Sequence, residues 1–104
     1  MAVSNSYREF MLEQLSSAAP AVSDRKMFGG LGIYSKGLIF AIVGDDTLYF
    51  KVDDSNRADY VAKDMPKHSK MSYYQVPVEV LEDPDALSTW TDKALVVAAK
   101  KRKK

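Results

Sequence analysis

The chain has 104 residues, 46% of them hydrophobic and 28% charged, with fifteen Lys and Arg against fourteen Asp and Glu and no cysteine. That is the size and make-up of one globular domain with its own core, not of a disordered segment. The absence of thiols excludes a disulfide scaffold, a cysteine nucleophile and a thiolate metal site, and it fits a reducing, cytoplasmic setting. Residues Met1 to Ser6 lack the basic start and apolar core of a secretory signal. The longest apolar run, Leu38 to Val43, is too short to cross a bilayer. The net charge of +1 hides an asymmetry. Five of the basic residues are Lys100, Lys101, Arg102, Lys103 and Lys104, which leaves ten basic against fourteen acidic side chains, a net −4, in residues 1–99. An acidic body suits a polyphosphate poorly unless its cations gather on one face.

In chain order, Tyr7, Phe10, Met11, Leu15 and Ala18 recur at helical spacing and form one stripe for packing on a sheet. Ser4 or Ser6 can cap that helix, with Glu9 as a capping-box partner, and Pro20 ends it. After a linker, Ala21 to Asp24, the stretch Arg25 to Val52 holds three runs rich in β-branched and aromatic residues. They are separated by Ser35-Lys36-Gly37 and Gly44-Asp45-Asp46, turn signals that predict an antiparallel three-strand meander. The middle run, Leu38 to Val43, is apolar on both faces, as expected of a central strand covered more completely than its neighbours. In the third, Leu48, Phe50 and Val52 alternate with Tyr49 and Lys51, so Lys51 marks the wetter face. Asp53 to Asn56 offers N-caps for a helix over Asn56 to Asp64, with Ala58, Val61 and Met65 as its apolar positions and Pro66 as its stop. Lys67 to Lys70 reads as a polar loop, Met71 to Val76 as a fourth strand and Pro77 to Leu81 as a short fifth or edge strand. Asp83-Pro84 opens a last helix that buries Leu87, Trp90, Ala94, Val97 and Ala98.

This order of elements carries several recognisable blocks: Lys26-Met27-Phe28-Gly29-Gly30-x-Gly32-Ile33-Tyr34, Leu38-Ile39-Phe40-Ala41, Leu48 to Asp54, Ser72 to Pro77, and Glu82-Asp83-Pro84 with Leu87, Trp90 and Ala94. Together they resemble the N-terminal domain of the TfoX/Sxy competence-regulator family over almost the whole chain. The resemblance implies an α+β, two-layer, secretion-chaperone-like fold, α-β(3)-α-β(2)-α, with helices on a curved antiparallel sheet. It implies one such domain over residues 1–99, a basic tail over 100–104 and a stand-alone, single-domain member. Two-domain members act as positive regulators of DNA-uptake genes together with the cyclic-AMP receptor protein. The family carries no established enzyme activity, so the resemblance supplies no catalytic residue, cofactor or metal.

The residues themselves offer few sites. Gly29-Gly30-Leu31-Gly32 leads into a strand, not a helix N-terminus, so it suits a bend or a close backbone approach over Tyr7 and Phe10 better than a phosphate cradle. His68 reads as a surface histidine in a polar loop, and Asp45-Asp46 and Asp53-Asp54 as turn and cap residues. If Tyr34 and Tyr49 share the face of Lys51, they form an aromatic platform for a partner or for stacked bases. Arg25 and Lys26, with Lys63, Lys67 and Lys70, are candidates for a basic patch. Lys100, Lys101, Arg102, Lys103 and Lys104 are a solvated tail or a set of phosphate contacts. The expectation is a non-enzymatic regulatory or adaptor domain with a protein partner, in control of transcription or DNA uptake. The alternative is a weak nucleic-acid binder using the tail and the tyrosine-bearing face. No membrane is expected, and an edge strand exposed near Tyr73 to Val76 would admit a homodimer.

Overall fold

The computed structural model describes residues 4–27, 30–68 and 72–102. Nine elements follow one another: α1 (Asn5–Ala18), β1 (Val22–Met27), β2 (Gly30–Ser35), β3 (Leu38–Gly44), β4 (Thr47–Lys51), α2 (Arg57–Ala62), β5 (Tyr73–Gln75), α3 (Val78–Leu81) and α4 (Pro84–Arg102). The strands form one antiparallel sheet in the order β1-β2-β3-β4-β5. The fold is therefore the α+β, two-layer type expected, with two changes in the element count.

The first is an extra strand. Residues 22–24, read as linker, open β1, which pairs along its length with β2 from Val22↔Ser35 to Met27↔Gly30. The run read as one strand through Arg25 to Tyr34 is thus a hairpin. The second is a lost strand. Val78-Glu79-Val80-Leu81 has a strand's composition but forms one helical turn, with the Pro77 carbonyl accepting from the amides of Val80 (3.0 Å) and Leu81 (3.1 Å). Burial decides it, because the turn drops both Val80 and Leu81 into the core.

Hairpin turns fix the register. Asp45 and Asp46 have φ of 52° and 54°, and Lys36 and Gly37 have 51° and 84°. Paired left-handed residues of this kind suit the twist of two-residue hairpins. Gly30 also has a specific reason to be glycine: a Cβ there would lie 2.2 Å from the Val43 carbonyl oxygen. Gly30 thus has a close backbone approach, but to Val43 of β3 and not over Tyr7 and Phe10, while Gly29 lies outside the described residues.

Ser4 caps α1 by accepting from the Tyr7 amide (3.2 Å), so the Ser6–Glu9 capping box is not used. The Ser4 amide donates to Asp46 Oδ1 (2.7 Å), tying the helix start to the β3–β4 turn. Arg8 grips Asp24 with two hydrogen bonds, Nε at 2.6 Å and Nη2 at 3.2 Å, which clamps α1 to β1. On α2 the expected stripe fails. Ala58 is exposed, Val61 is 61% exposed and Tyr60 is buried instead, its ring against Trp90 (4.6 Å). The helix closes with Asp64 at φ 60° and amide bonds from Asp64 to Val61 and Met65 to Tyr60, before Pro66. Asp83 Oδ1 accepts from the amides of Asp85 and Ala86, as an N-cap should. α4 continues through Arg102, so Lys100, Lys101 and Arg102 are helical and do not belong to a loose tail; Lys103 and Lys104 lie outside the described residues.

The core sits between one face of the sheet and the helices. Met11 and Leu15 of α1, Tyr60 of α2, Val80 and Leu81 of α3, and Leu87, Ala94 and Ala98 of α4 share one cluster with Leu31, Ile33, Ala41, Val43, Leu48 and Phe50. A bulge in β3 helps. Ile33 pairs with Ala41 but Tyr34 pairs with Ile39, which leaves Phe40 as the extra residue. Phe40 and Ala41 can then both turn inward, and both are wholly buried. Among the described residues no helix is long and apolar enough to cross a membrane.

Candidate docking face

Strand alternation sends every second side chain to the opposite face, and among the described residues the buried helix side chains of the core cluster pack with the inward set. The register arranges it in two rows across the sheet. One runs Arg25–Gly32–Ile42–Tyr49–Gln75. The other runs Ser23–Tyr34–Ile39 and resumes at Lys51–Tyr73. None of these residues belongs to the core cluster. Ile39 and Ile42, on the central strand, remain partly exposed.

Those neighbours are aromatic and cationic. The Arg25 guanidinium lies 5.7 Å from the centre of the Tyr34 ring, and Lys51 Nζ lies 5.7 Å from that of Tyr73. Both are cation–π distances. Burial first, and the neighbouring Tyr34 second, push the Tyr73 hydroxyl above its ordinary pKa. At the far end of the other row the Tyr49 ring meets His68 edge-on at 4.6 Å.

His68, expected at the surface of a polar loop, is instead half-buried, with Nδ1 enclosed and without a hydrogen-bond partner among the described residues. It is held because residues 66–68 run beside β5. The His68 amide donates to the Tyr73 carbonyl (2.8 Å), the Gln75 amide donates to the Pro66 carbonyl (3.0 Å), and Lys67 bridges Tyr74. The edge near Tyr73 to Val76, expected to be open for a dimer, is thereby closed. Sequence reasoning missed His68 as a neighbour of Tyr49 because the two are distant in sequence and no spacing rule connects them.

The expected site residues separate accordingly. Arg25, Tyr34, Tyr49 and Lys51 come together on the open face, as the conditional reading of the tyrosines required. Lys26 pairs with Leu31 and so alternates to the helix side. Lys100 leaves the site altogether, its Nζ 3.4 Å from Asp53 Oδ2. Lys63 reaches Glu79 at 3.4 Å, and Lys67 sits at the edge opposite Arg25, so the wider basic patch does not form. Lys70 lies outside the described residues, and the side chains of Lys101 and Arg102 are likewise outside the description.

A second polar feature, a shallow cleft lined by Val52, Asp53, Asp54, Ser55, Arg57, Ser72 and Lys100, is internally satisfied. Asp53 Oδ1 accepts from the Ser55 amide (2.8 Å) and hydroxyl (2.5 Å), and Arg57 pairs with Asp54. These bonds, Ser55 first and Lys100 after it, hold the Asp53 carboxyl below its ordinary pKa. Behind the cleft, buried Asn56 accepts from the Asp53 amide (2.9 Å) and donates to the Lys51 carbonyl (3.3 Å), which fixes the loop leaving β4. Asp53 and Asp54 thus do the local work of loop residues. Among the described residues no cluster of three or more His, Cys, Asp or Glu could hold a metal ion.

Fold and face together define a two-layer α+β domain with one helix-covered and one open sheet face. The TfoX N-terminal domain family matches residues 13–98, most of the chain, and the chain belongs to that family. No curated protein matches it.

Proposed function

We propose that the chain is a non-enzymatic regulatory or adaptor domain of the cytoplasm that acts by protein–protein contact, in control of transcription or DNA uptake, and that the open sheet face is where its partner docks. The observation that carries this is the position of Ile39 and Ile42. They occupy the central strand, stand outside the helix-packed core cluster, and share their rows of the sheet with tyrosines and cations. An apolar centre with aromatic and arginine neighbours is the composition of an interface hot spot. Nucleic-acid binding is supported less well, since Arg25 and Lys26 point to opposite faces and Lys100 is engaged with Asp53.

The test is site-specific photo-crosslinking in the source cell. A photoreactive residue at Ile42 should give one discrete protein adduct, and the same residue at Val96, exposed on α4, should give none. No adduct at position 42, or equal adducts at both positions, would refute the docking face.

A further inference from the structure

We infer that the occupant of the open face is an amphipathic helix whose apolar stripe is flanked by carboxylates; the inference rests on the face being a docking surface. Charge is the first ground. The outward positions of the five strands hold Arg25 and Lys51 and no Asp or Glu, although residues 1–99 as a whole carry a net −4. The one acidic residue of β1, Asp24, faces the helices and is held there by Arg8. A domain that keeps carboxylates off one sheet face and seats cations there complements an anionic apolar partner and repels a basic one. A guanidinium over a tyrosine ring meets that ring with its π-face, while its N–H edge is the part suited to a carboxylate.

Span is the second ground. Arg25 on β1 and Lys51 on β4 are three strands apart and one row out of line, about 15 Å from standard strand spacing and rise. About ten residues of helix cover that length. A helix of three turns or more lying over Ile39 and Ile42 can therefore place one carboxylate near each cation. It would also supply the layer that this face lacks, as helices already do on the other side.

The whole chain would be titrated, by fluorescence anisotropy, against three labelled probes. Two are helical peptides of about 16 residues, long enough for the span, with the same Leu/Phe stripe and either Glu or Lys rims. The third is a single-stranded oligonucleotide. The Glu-rimmed peptide should bind at least about tenfold more tightly than the Lys-rimmed one, with the contrast shrinking as salt rises. The double variant R25E/K51E, checked for an unchanged urea midpoint, should reverse the preference. Equal affinity for both peptides, tighter binding of the oligonucleotide, or an R25E/K51E variant that behaves as the parent would each overturn the inference. The outcomes are separable from those of the docking reading. If Ile42 crosslinks a protein while the two peptides bind alike, the docking face stands and the acidic helix falls. If the Ile42 adduct is a second copy of this chain, the occupant is the chain itself and the inference fails.

Discussion

The two faces of the sheet are built from the same strands and differ by one residue of phase, yet they have opposite fates. On β4, Leu48 and Phe50 are almost wholly buried under α4 while Tyr49 and Lys51, their immediate neighbours, face outward. On β3, Phe40, Ala41 and Val43 lie in the core while Ile39 and Ile42 do not. The inward set stabilises the fold, and the outward set mixes apolar, aromatic and cationic side chains. Composition alone does not separate structural from functional residues here; phase along the strand does.

The largest effect should come from Phe50→Ala, which removes a buried ring from the inward set and should cost about 3–5 kcal/mol in urea unfolding. Ile42→Ala, on the outward set, should cost no more than about 1 kcal/mol. Equal costs would show that the outer face is not open. Gly30→Ala should cost about 1–3 kcal/mol, because the new methyl meets the backbone oxygen of Val43 and one strand must shift.

Alkali should act on the helix side. Burial pushes the Tyr7 hydroxyl up to about 12, and burial drives that of Tyr60 well above its ordinary value. Both stay protonated in the folded state after the unfolded chain begins to ionise near pH 10, so their contribution is whole below that pH. For Tyr7 it falls away from there to about pH 12. For Tyr60 the loss should approach about 1.4 kcal/mol per pH unit above pH 10. Tyr60→Phe should flatten the alkaline limb of a thermal-unfolding profile; an unchanged limb would contradict the assignment. The smallest effect should be a gain. Thr91 is wholly buried in α4 with no hydrogen-bond partner for Oγ1, so Thr91→Val should raise stability by up to about 1 kcal/mol.

Local rules made much of this legible in the sequence. Pro20 and Asp83-Pro84 fix helix ends, and Leu48, Phe50 and Val52 reveal their face by alternation. The failures have a common cause, which is burial overriding local pattern. Tyr60, not Val61, anchors α2 because one ring packed on Trp90 outweighs a weak stripe. Val78 to Leu81 coils because coiling buries two side chains at once. The face of Tyr34, Tyr49 and Lys51 was readable from strand phase, whereas the approach of His68 depends on residues 66–68 lying beside β5, a tertiary event that no periodicity reports.

Closing that margin with residues 66–68 has a topological result. Strand addition needs an unpaired border, and β1 is the border left at the other end of the sheet. Among the described residues, strand addition beside β5 would first have to displace residues 66–68, which leaves β1 as the accessible border.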